Sequence, residues 1–496
     1  MILGNWFGTR RARHAATAGV VVLATGGLFL LRASAATPPF TTSDPPGTVQ
    51  QTGVLTPPRL PPGPLGPDTV SFSGPHVHGT LALSDARVLA GRGQPFYADV
   101  TLNAEASAGE HAPLAMVVVL DTSGSMEGEK LREAKSAVKE LVRNMRDDDD
   151  IAFVHYSDHA EMVQPLSRVG AVREQLAASV DRLSANGGTA IPLGLEMGVQ
   201  ELEQGLARSD RRDGDRVRRV VLVSDGLDSS RVRAEALAQS TSARGVTVSS
   251  MGIGLDFDEA YMGGVARSGH GNFGFVNDGA TLTAFLKREL VETATTVAQN
   301  TVVHLHLPEN ARFVKATGAD AEVHGRDVDL RVGAIYADEA KRVLVEMATD
   351  FSPGSAADFN GSLTWKGAAG AAEATIPQLE VLATDDSSAV NRARNETVFA
   401  RVTSLEASER QVLAAQAYSN GDSNRAQQLI QQNIVALKRA SASAPAPVAL
   451  GLSAQAGSYD KAMNDFKSAP AASPSGRFAA KAAAASNMAN SSKSAF

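Results

Sequence analysis

The hydrophobic pattern of this chain changes twice along its length. Between residues 69 and 112, apolar and polar residues alternate with a period of two, which predicts short β-strands. Between residues 113 and 298, fully apolar runs such as 116–120 and 220–223 alternate with segments that carry apolar residues at helical spacing. From residue 299 to 383 the period of two returns and predicts antiparallel strands. The central alternation predicts a doubly wound, mostly parallel sheet.

The strands on either side of the α/β segment predict one shared domain. Residues 69–112 contain too few strands to close a core alone, and strands resume directly after the α/β segment. The two ends of a doubly wound domain can lie near each other. We therefore expect residues 69–112 and 299–383 to pair into one β-sandwich, with the α/β domain of residues 113–298 inserted into it.

The C-terminal part has a helical pattern. Residues 384–440 predict a helical hairpin that turns at Gly421. A single hairpin of this kind cannot bury its apolar face by itself, so we expect it to dock on the rest of the chain. Residues 441–496 are rich in Ala and Ser, and we expect a mobile tail with one helix near residues 458–467.

The N-terminus has the pattern of a targeting segment. Arg10, Arg11 and Arg13 precede an apolar run over residues 15–31, and the small residues 33–35 follow. This order predicts a secretory signal over residues 1–35, either cleaved or retained as an N-terminal membrane anchor. Residues 36–68 hold ten of the 22 prolines and predict an extended linker. The chain is therefore expected to be exported, and to be periplasmic, secreted or anchored facing outside the cytoplasm.

Composition narrows the range of partners and sites. The 496 residues include 47 Lys and Arg against 54 Asp and Glu, for a net charge of −7. Removal of residues 1–35, which carry four Arg and no acid, takes this charge from −7 to −11. No domain is strongly basic, which argues against a nucleic-acid partner. The absence of Cys excludes disulfides and thiolate metal sites, so any metal must bind oxygen or imidazole ligands.

Oxygen-bearing side chains follow two of the predicted buried strands. Asp121, Ser123 and Ser125 lie in one short turn after the first strand, and Asp225 follows the second. Thr189 lies between them in a Gly-Gly-Thr loop. Carboxyl ends of parallel strands meet at one sheet edge, where ligands bind. The residue types predict a Mg²⁺ site, with Mn²⁺ or Ca²⁺ as alternatives, in which Thr189 and Asp225 lie near the ion or act through water. The alternative is that Asp121 and Ser123 only cap the following helix.

These motifs resemble a known family. The sequences Asp121-Thr-Ser-Gly-Ser-Met, Gly128-Glu-Lys-Leu, Gly187-Gly-Thr and Val221-Leu-Val-Ser-Asp-Gly are similar to those of the von Willebrand factor type A domain. The resemblance covers about residues 113–298. It implies a Rossmann-like sheet and a metal-ion-dependent adhesion site, whose residues would be Asp121, Ser123, Ser125, Thr189 and Asp225. The flanking segments resemble, more loosely, bacterial exported proteins related to calcium-activated chloride channel regulators and inter-alpha-trypsin inhibitor heavy chains.

The sequence thus favours a non-enzymatic adhesion or assembly module of the cell envelope. A divalent cation would capture an exposed carboxylate of a protein partner. Two alternatives remain: an envelope scaffold with a purely structural metal site, and a metal-dependent hydrolase. We expect no catalytic residues, and we interpret His155 as a satisfied interior histidine and the acidic run 147–150 as a solvated loop.

Overall fold

The computed structural model describes residues 66–105, 113–208, 216–225, 228–276 and 278–493. The predicted targeting segment and most of the Pro-rich linker lie outside these ranges. No helix within these ranges is long and apolar enough to cross a lipid bilayer.

The strands of the described ranges form three sheets. They are β1 (Thr69–Gly74), β2 (Val77–Leu83), β3 (Arg87–Leu89), β4 (Gly91–Ala104), β5 (Leu114–Asp121), β6 (Asp150–Tyr156), β7 (Ala160–Arg168), β8 (Val217–Ser224), β9 (Val246–Ile253), β10 (His270–Val276), β11 (Thr296–His306), β12 (Ala311–Thr317), β13 (Asp320–His324), β14 (Asp327–Tyr336), β15 (Ala340–Phe351), β16 (Ala356–Gly367) and β17 (Gly370–Thr384).

The helices divide between the α/β segment and the C-terminal part. They are α1 (Glu129–Asn144), α2 (Val169–Arg182), α3 (Ile191–Arg208), α4 (Arg231–Ser242), α5 (Glu259–Ser268), α6 (Gly279–Ala294), α7 (Ser387–Arg392), α8 (Glu396–Ser419), α9 (Ser423–Ser443), α10 (Ala446–Ser468) and α11 (Pro474–Lys493).

The α/β segment is a doubly wound domain. Its sheet has the order β10-β9-β8-β5-β6-β7, and neighbouring strands are parallel except for β6 and β7. Every residue of β5 is buried, because α1, α2 and α6 cover one face of the sheet and α3, α4 and α5 cover the other. Strand β7 was not predicted from the sequence. It is an edge strand that contains Pro165 and several polar residues, so it lacks the apolar run of a central strand.

The flanking strands form the expected β-sandwich. One sheet has the order β1-β2-β4-β15-β12 and the other has the order β13-β14-β11-β16-β17-β3. Strand β4 pairs with β15 across the inserted α/β domain, and β3 pairs with β17. Side chains from both sheets, among them Phe96, Phe359 and Trp365, fill one core. The predicted fold class, an α/β domain inserted in a β-sandwich with a helical C-terminal region, is therefore confirmed.

The C-terminal segment differs from the expected mobile tail. Helices α8 and α9 form the predicted hairpin, and α10 and α11 continue the packing over residues 446–493. The small side chains of this Ala-rich segment allow close helix packing, and larger ones such as Tyr459 and Phe466 fill the core that the helices share. Helix α11 also contacts the α/β domain, where the ring centroids of Phe478 and Phe275 lie 5.5 Å apart. The amino-acid composition could not predict these contacts, because Ala and Ser are common both in mobile tails and in closely packed helices.

Candidate metal centre

The site lies at the carboxyl edge of the α/β sheet, where β5 ends. Asp121 is the last residue of β5 and pairs in register with Tyr156 of β6. On the other side of β5, Leu120 pairs with Val223 of β8, so Asp225 follows β8 at the same edge. Parallel pairing therefore brings together two carboxylates that are about a hundred residues apart in the chain.

A chain of hydrogen bonds joins four of the five predicted site residues. The Asp121 Oδ1 atom accepts the backbone N–H of Ser123 at 2.8 Å. The hydroxyls of Ser123 and Ser125 lie 3.0 Å apart, and the Ser125 hydroxyl donates to Asp225 Oδ1 at 2.7 Å. A short 3₁₀ turn over Gly124–Met126 produces this approach because it folds Ser125 back over the strand end.

The site has a buried base and an exposed mouth. Asp121 and Asp225 are 0% and 1% exposed, whereas Ser125 is exposed to solvent. Burial raises the pKa of Asp121 above its usual value, and hydrogen bonds from Ser123 and Ser224 partly oppose this increase. Burial also raises the pKa of Tyr156 well above its usual value. A positive charge at the mouth would therefore stabilise the ionised form of Asp121.

The loop that carries Thr189 touches the turn through its backbone. The Gly124 N–H donates to the Gly187 carbonyl oxygen at 3.0 Å. The Asp158 carboxylate fixes the loop from the other side by accepting the Gly188 N–H at 2.9 Å. Thr189 itself is half-buried, and in the described part of the chain its hydroxyl has no hydrogen bond to the other four site residues.

Three further side chains contact the carboxylates, and sequence reasoning assigned none of them a role. The Ser224 hydroxyl donates to Asp121 Oδ2 at 2.6 Å, and the Tyr156 hydroxyl lies 3.5 Å from the same oxygen. The Lys130 ammonium forms an ion pair with Asp225 and donates to the Ser125 carbonyl oxygen at 3.2 Å. The sequence does contain a signal for Lys130, because this residue lies in the first turn of the helix that follows the motif.

Features that were set aside in the sequence have structural partners. The His155 ring joins the Thr122 hydroxyl, at 2.9 Å, to the Glu161 carboxylate, at 3.3 Å. In the acidic run 147–150, Asp149 accepts backbone N–H groups and Asp150 forms an ion pair with Arg216 at 2.9 Å. Both acids are buried, so the prediction of a wholly solvated loop is wrong for half of this run.

The donor set suits a hard cation. Two carboxylates and two hydroxyls converge, and these oxygens are the ligand types of Mg²⁺, Mn²⁺ and Ca²⁺. The ammonium of Lys130 on Asp225 shows that this edge already attracts positive charge. Among the described residues no three His, Asp or Glu side chains converge as a metal cage. A cation here would therefore depend on hydroxyl oxygens and on ligands from outside the chain to complete its shell.

Comparison with known proteins matches the α/β domain to a family. Residues 115–288 match the family model of the von Willebrand factor type A domain. The uncharacterized protein YfbK of Escherichia coli is 30% identical over 192 residues, which cover 37% of this chain and 32% of YfbK. An inter-alpha-trypsin inhibitor heavy chain of Rattus norvegicus is 25% identical over 246 residues, which cover 46% of this chain and 27% of that protein. The chain thus matches about a third or less of the length of these two relatives.

A solved structure extends the likeness beyond the matched domain. The von Willebrand factor type A protein from Catenulispora acidiphila superposes with a TM-score of 0.60 at 20% identity. The superposition covers 84% of this chain and 91% of that one. The shared fold therefore includes elements outside the α/β domain.

Proposed function

We propose, on the premise that this chain contains a von Willebrand factor type A domain, that it is an exported, metal-dependent protein-binding module. Asp121, Ser123 and Ser125 would hold one divalent cation, most simply Mg²⁺, with Thr189 and Asp225 near it or acting through water. The cation would capture an exposed carboxylate of a protein partner. The β-sandwich and the helical region would serve as a platform for the domain.

One observation carries this proposal. Two buried carboxylates lie beneath an exposed hydroxyl at a single sheet edge, and hydrogen bonds hold the set together. Because the protein supplies ligands from one side only, a cation there keeps a position that faces solvent. A partner carboxylate is the ligand that best fills such a position on a hard cation.

The surroundings of the serines support binding rather than catalysis. The Ser123 and Ser125 hydroxyls contact each other and Asp225, and no imidazole of the described residues contacts either of them. His155 instead contacts Thr122 and Glu161. A serine hydroxyl that has only a carboxylate, and no imidazole, beside it is a weak nucleophile, so a hydrolase here would have to rely mainly on a metal-bound water.

Export is proposed from the sequence. The order of basic, apolar and small residues in positions 1–35 is that of a secretory signal. The Pro-rich stretch that follows would hold the folded domains away from a membrane or from the cleavage point.

Metal binding is tested first, by calorimetry with Mg²⁺. Asp121→Ala removes a charged ligand, so we expect affinity to fall by more than about 100-fold, or about 2.7 kcal/mol. Asp327→Ala, which removes an exposed carboxylate from the β-sandwich, is the matched control and should bind as the wild type does. Unchanged affinity of Asp121→Ala would disprove the assigned site.

Partner binding is tested with the full chain as bait in envelope extract. Captured proteins should require Mg²⁺, disappear with chelator or Asp121→Ala, and be retained by Asp327→Ala. Added salt should reduce partner capture less than chelator does, because dissolved ions screen a direct metal–carboxylate bond only weakly. Thr189→Ala should weaken partner binding more than cation binding, since its loop is expected to engage with the bound ligand. Equal capture with and without chelator would favour the plain scaffold, and unchanged apparent cation affinity on partner binding would favour a purely structural ion.

A further inference from the structure

Lys130 brings a positive charge into the acidic site. Its ammonium forms an ion pair with Asp225, whose side chain is 0% exposed, and it donates to the Ser125 carbonyl oxygen at 3.2 Å. The Lys130 side chain itself is 28% exposed, so it lies between the buried carboxylate and solvent. A cation that approaches Asp225 from the mouth of the site therefore meets this ammonium.

The backbone around Lys130 directs its side chain to the site. Gly128 has a φ of +86°, and α1 begins directly after it, so Lys130 lies in the first turn of the helix. The stem of Lys130 packs against Gly254, where an added Cβ would lie 3.0 Å from the Lys130 Cε atom. Gly254 has a φ of +78°, so a side chain is disfavoured there. Because Gly254 has no side chain, the stem of Lys130 can pass close to the backbone there on its way to Asp225.

The charges at the site show what Lys130 does to a bound cation. Asp121 and Asp225 carry two negative charges, and Lys130 is their only ion-pair partner among the described residues. With Lys130 present, a divalent cation leaves the site with one excess positive charge. A partner carboxylate then brings the sum to zero. Without Lys130, the cation alone already neutralises the two carboxylates, and a partner carboxylate would add an uncompensated negative charge.

We propose that Lys130 couples the two binding events: it weakens cation binding by the protein alone and strengthens the capture of a carboxylate by the cation-loaded site. This inference rests on the proposed function and concerns its regulation. The effect is electrostatic and acts at short range, in a site where both carboxylates are withdrawn from water. Coupling of this kind would make the module retain its cation most firmly when a partner is bound.

The first measurement is the affinity for Mg²⁺ alone, by calorimetry on the full chain. Lys130→Met removes the charge and keeps an apolar stem, so we expect about tenfold tighter Mg²⁺ binding than in the wild type. Lys130→Arg keeps the charge and should lie closer to the wild type than Lys130→Met does. Lys139→Met is the matched control, because Lys139 lies on the same helix and carries the same charge but forms its ion pair with Asp181 instead of Asp225. It should leave the affinity unchanged.

The second measurement uses Mn²⁺ as the ion and acetate as the carboxylate. Acetate displaces water from the bound Mn²⁺, which lowers the relaxation enhancement of the water protons. At saturating Mn²⁺ the wild type should bind acetate about tenfold more tightly than Lys130→Met does. Thermal melting checks that each variant folds. In chelator Lys130→Met should melt below the wild type, and Mg²⁺ should raise its melting temperature by more.

The outcomes separate this inference from the proposed function. One outcome would support the metal site and overturn the role of Lys130: Asp121→Ala loses Mg²⁺ binding, but Lys130→Met binds Mg²⁺ no more tightly than the wild type does. Equal acetate affinity in the wild type and Lys130→Met would also overturn it. Absence of Mg²⁺ binding by the wild type and by Lys130→Met would reject the site and the inference together.

Discussion

A buried ion pair inside the α/β domain also reaches the β-sandwich through Arg219, and it offers a sharp test of the packing. Arg219 of β8 and Glu289 of α6 are 1% and 0% exposed, and their charged atoms lie 2.7 Å apart. Arg219 also donates to the hydroxyl of Tyr336, at the end of β14 in the sandwich. Burial would lower the pKa of Arg219, but Glu289, Tyr336 and Glu292 together outweigh burial and hold the pKa above its usual value. Replacement of Arg219 by Met would leave the Glu289 charge buried without its partner.

The remaining partners of Glu289 set the expected magnitude. Its carboxylate also accepts the Ser249 hydroxyl and the Asn272 amide, each at 2.6 Å. These neutral donors cannot replace a full positive charge, so Arg219→Met should cost about 3–5 kcal/mol of unfolding free energy. In the double variant Arg219→Met, Glu289→Gln, the buried charge is gone as well. Most of the loss should then be recovered, leaving a deficit of about 1–2 kcal/mol for imperfect hydrogen bonds.

Urea unfolding, followed by circular dichroism and tryptophan fluorescence, measures both variants. Trp365 lies in the core of the β-sandwich, so its fluorescence reports on the unfolding of the domain that Arg219 contacts through Tyr336. Arg218→Met is the control, because Arg218 is the adjacent, half-buried residue of the same strand, and it should change stability by no more than about 0.5 kcal/mol. A cost below about 1 kcal/mol for Arg219→Met, or a double variant as unstable as the sum of the single ones, would refute the reasoning.

Three further predictions follow from particular contacts. Phe478→Ala should cost about 1–2 kcal/mol and loosen α11 from the α/β domain, seen as faster amide exchange in α11, because the half-buried ring packs near Phe275. Gly187→Ala should weaken Mg²⁺ binding measured by calorimetry, since φ is +72° and the new Cβ would lie 2.4 Å from Asp158 Oδ2; an unchanged affinity would show that the loop does not support the site. Burial raises the pKa of Tyr459 to about 12, so only the unfolded chain ionises it near pH 10. Between pH 9 and 11 the wild type should therefore lose about 1 kcal/mol more unfolding free energy than Tyr459→Phe, and equal losses would contradict the shifted pKa.

Local sequence determined the central strands and the fold class. The runs 116–120 and 220–223, which form the centres of β5 and β8, are apolar at every position, as is typical of a strand covered on both faces. The motif after β5 combines a carboxylate and two hydroxyls in one turn, which already indicates hard-cation chemistry before any fold is known. The pairing of 69–112 with the strands after the α/β domain followed from counting strands, since neither part could close a core alone.

Other features were decided by partners that lie far away in the sequence. Strand β7 and helix α11 carry mixed or Ala-rich patterns, and what they bury depends on the neighbouring sheet and helices. The contact of Lys130 with Asp225 likewise depends on the parallel pairing of β5 with β8 and on the space left by Gly254. A local pattern records how much surface a segment must bury, and so it determined the central strands, while the residue types of the motif indicated the candidate oxygen ligands. Only the tertiary structure decides which charge meets which carboxylate, because that depends on distances between segments that the sequence does not contain.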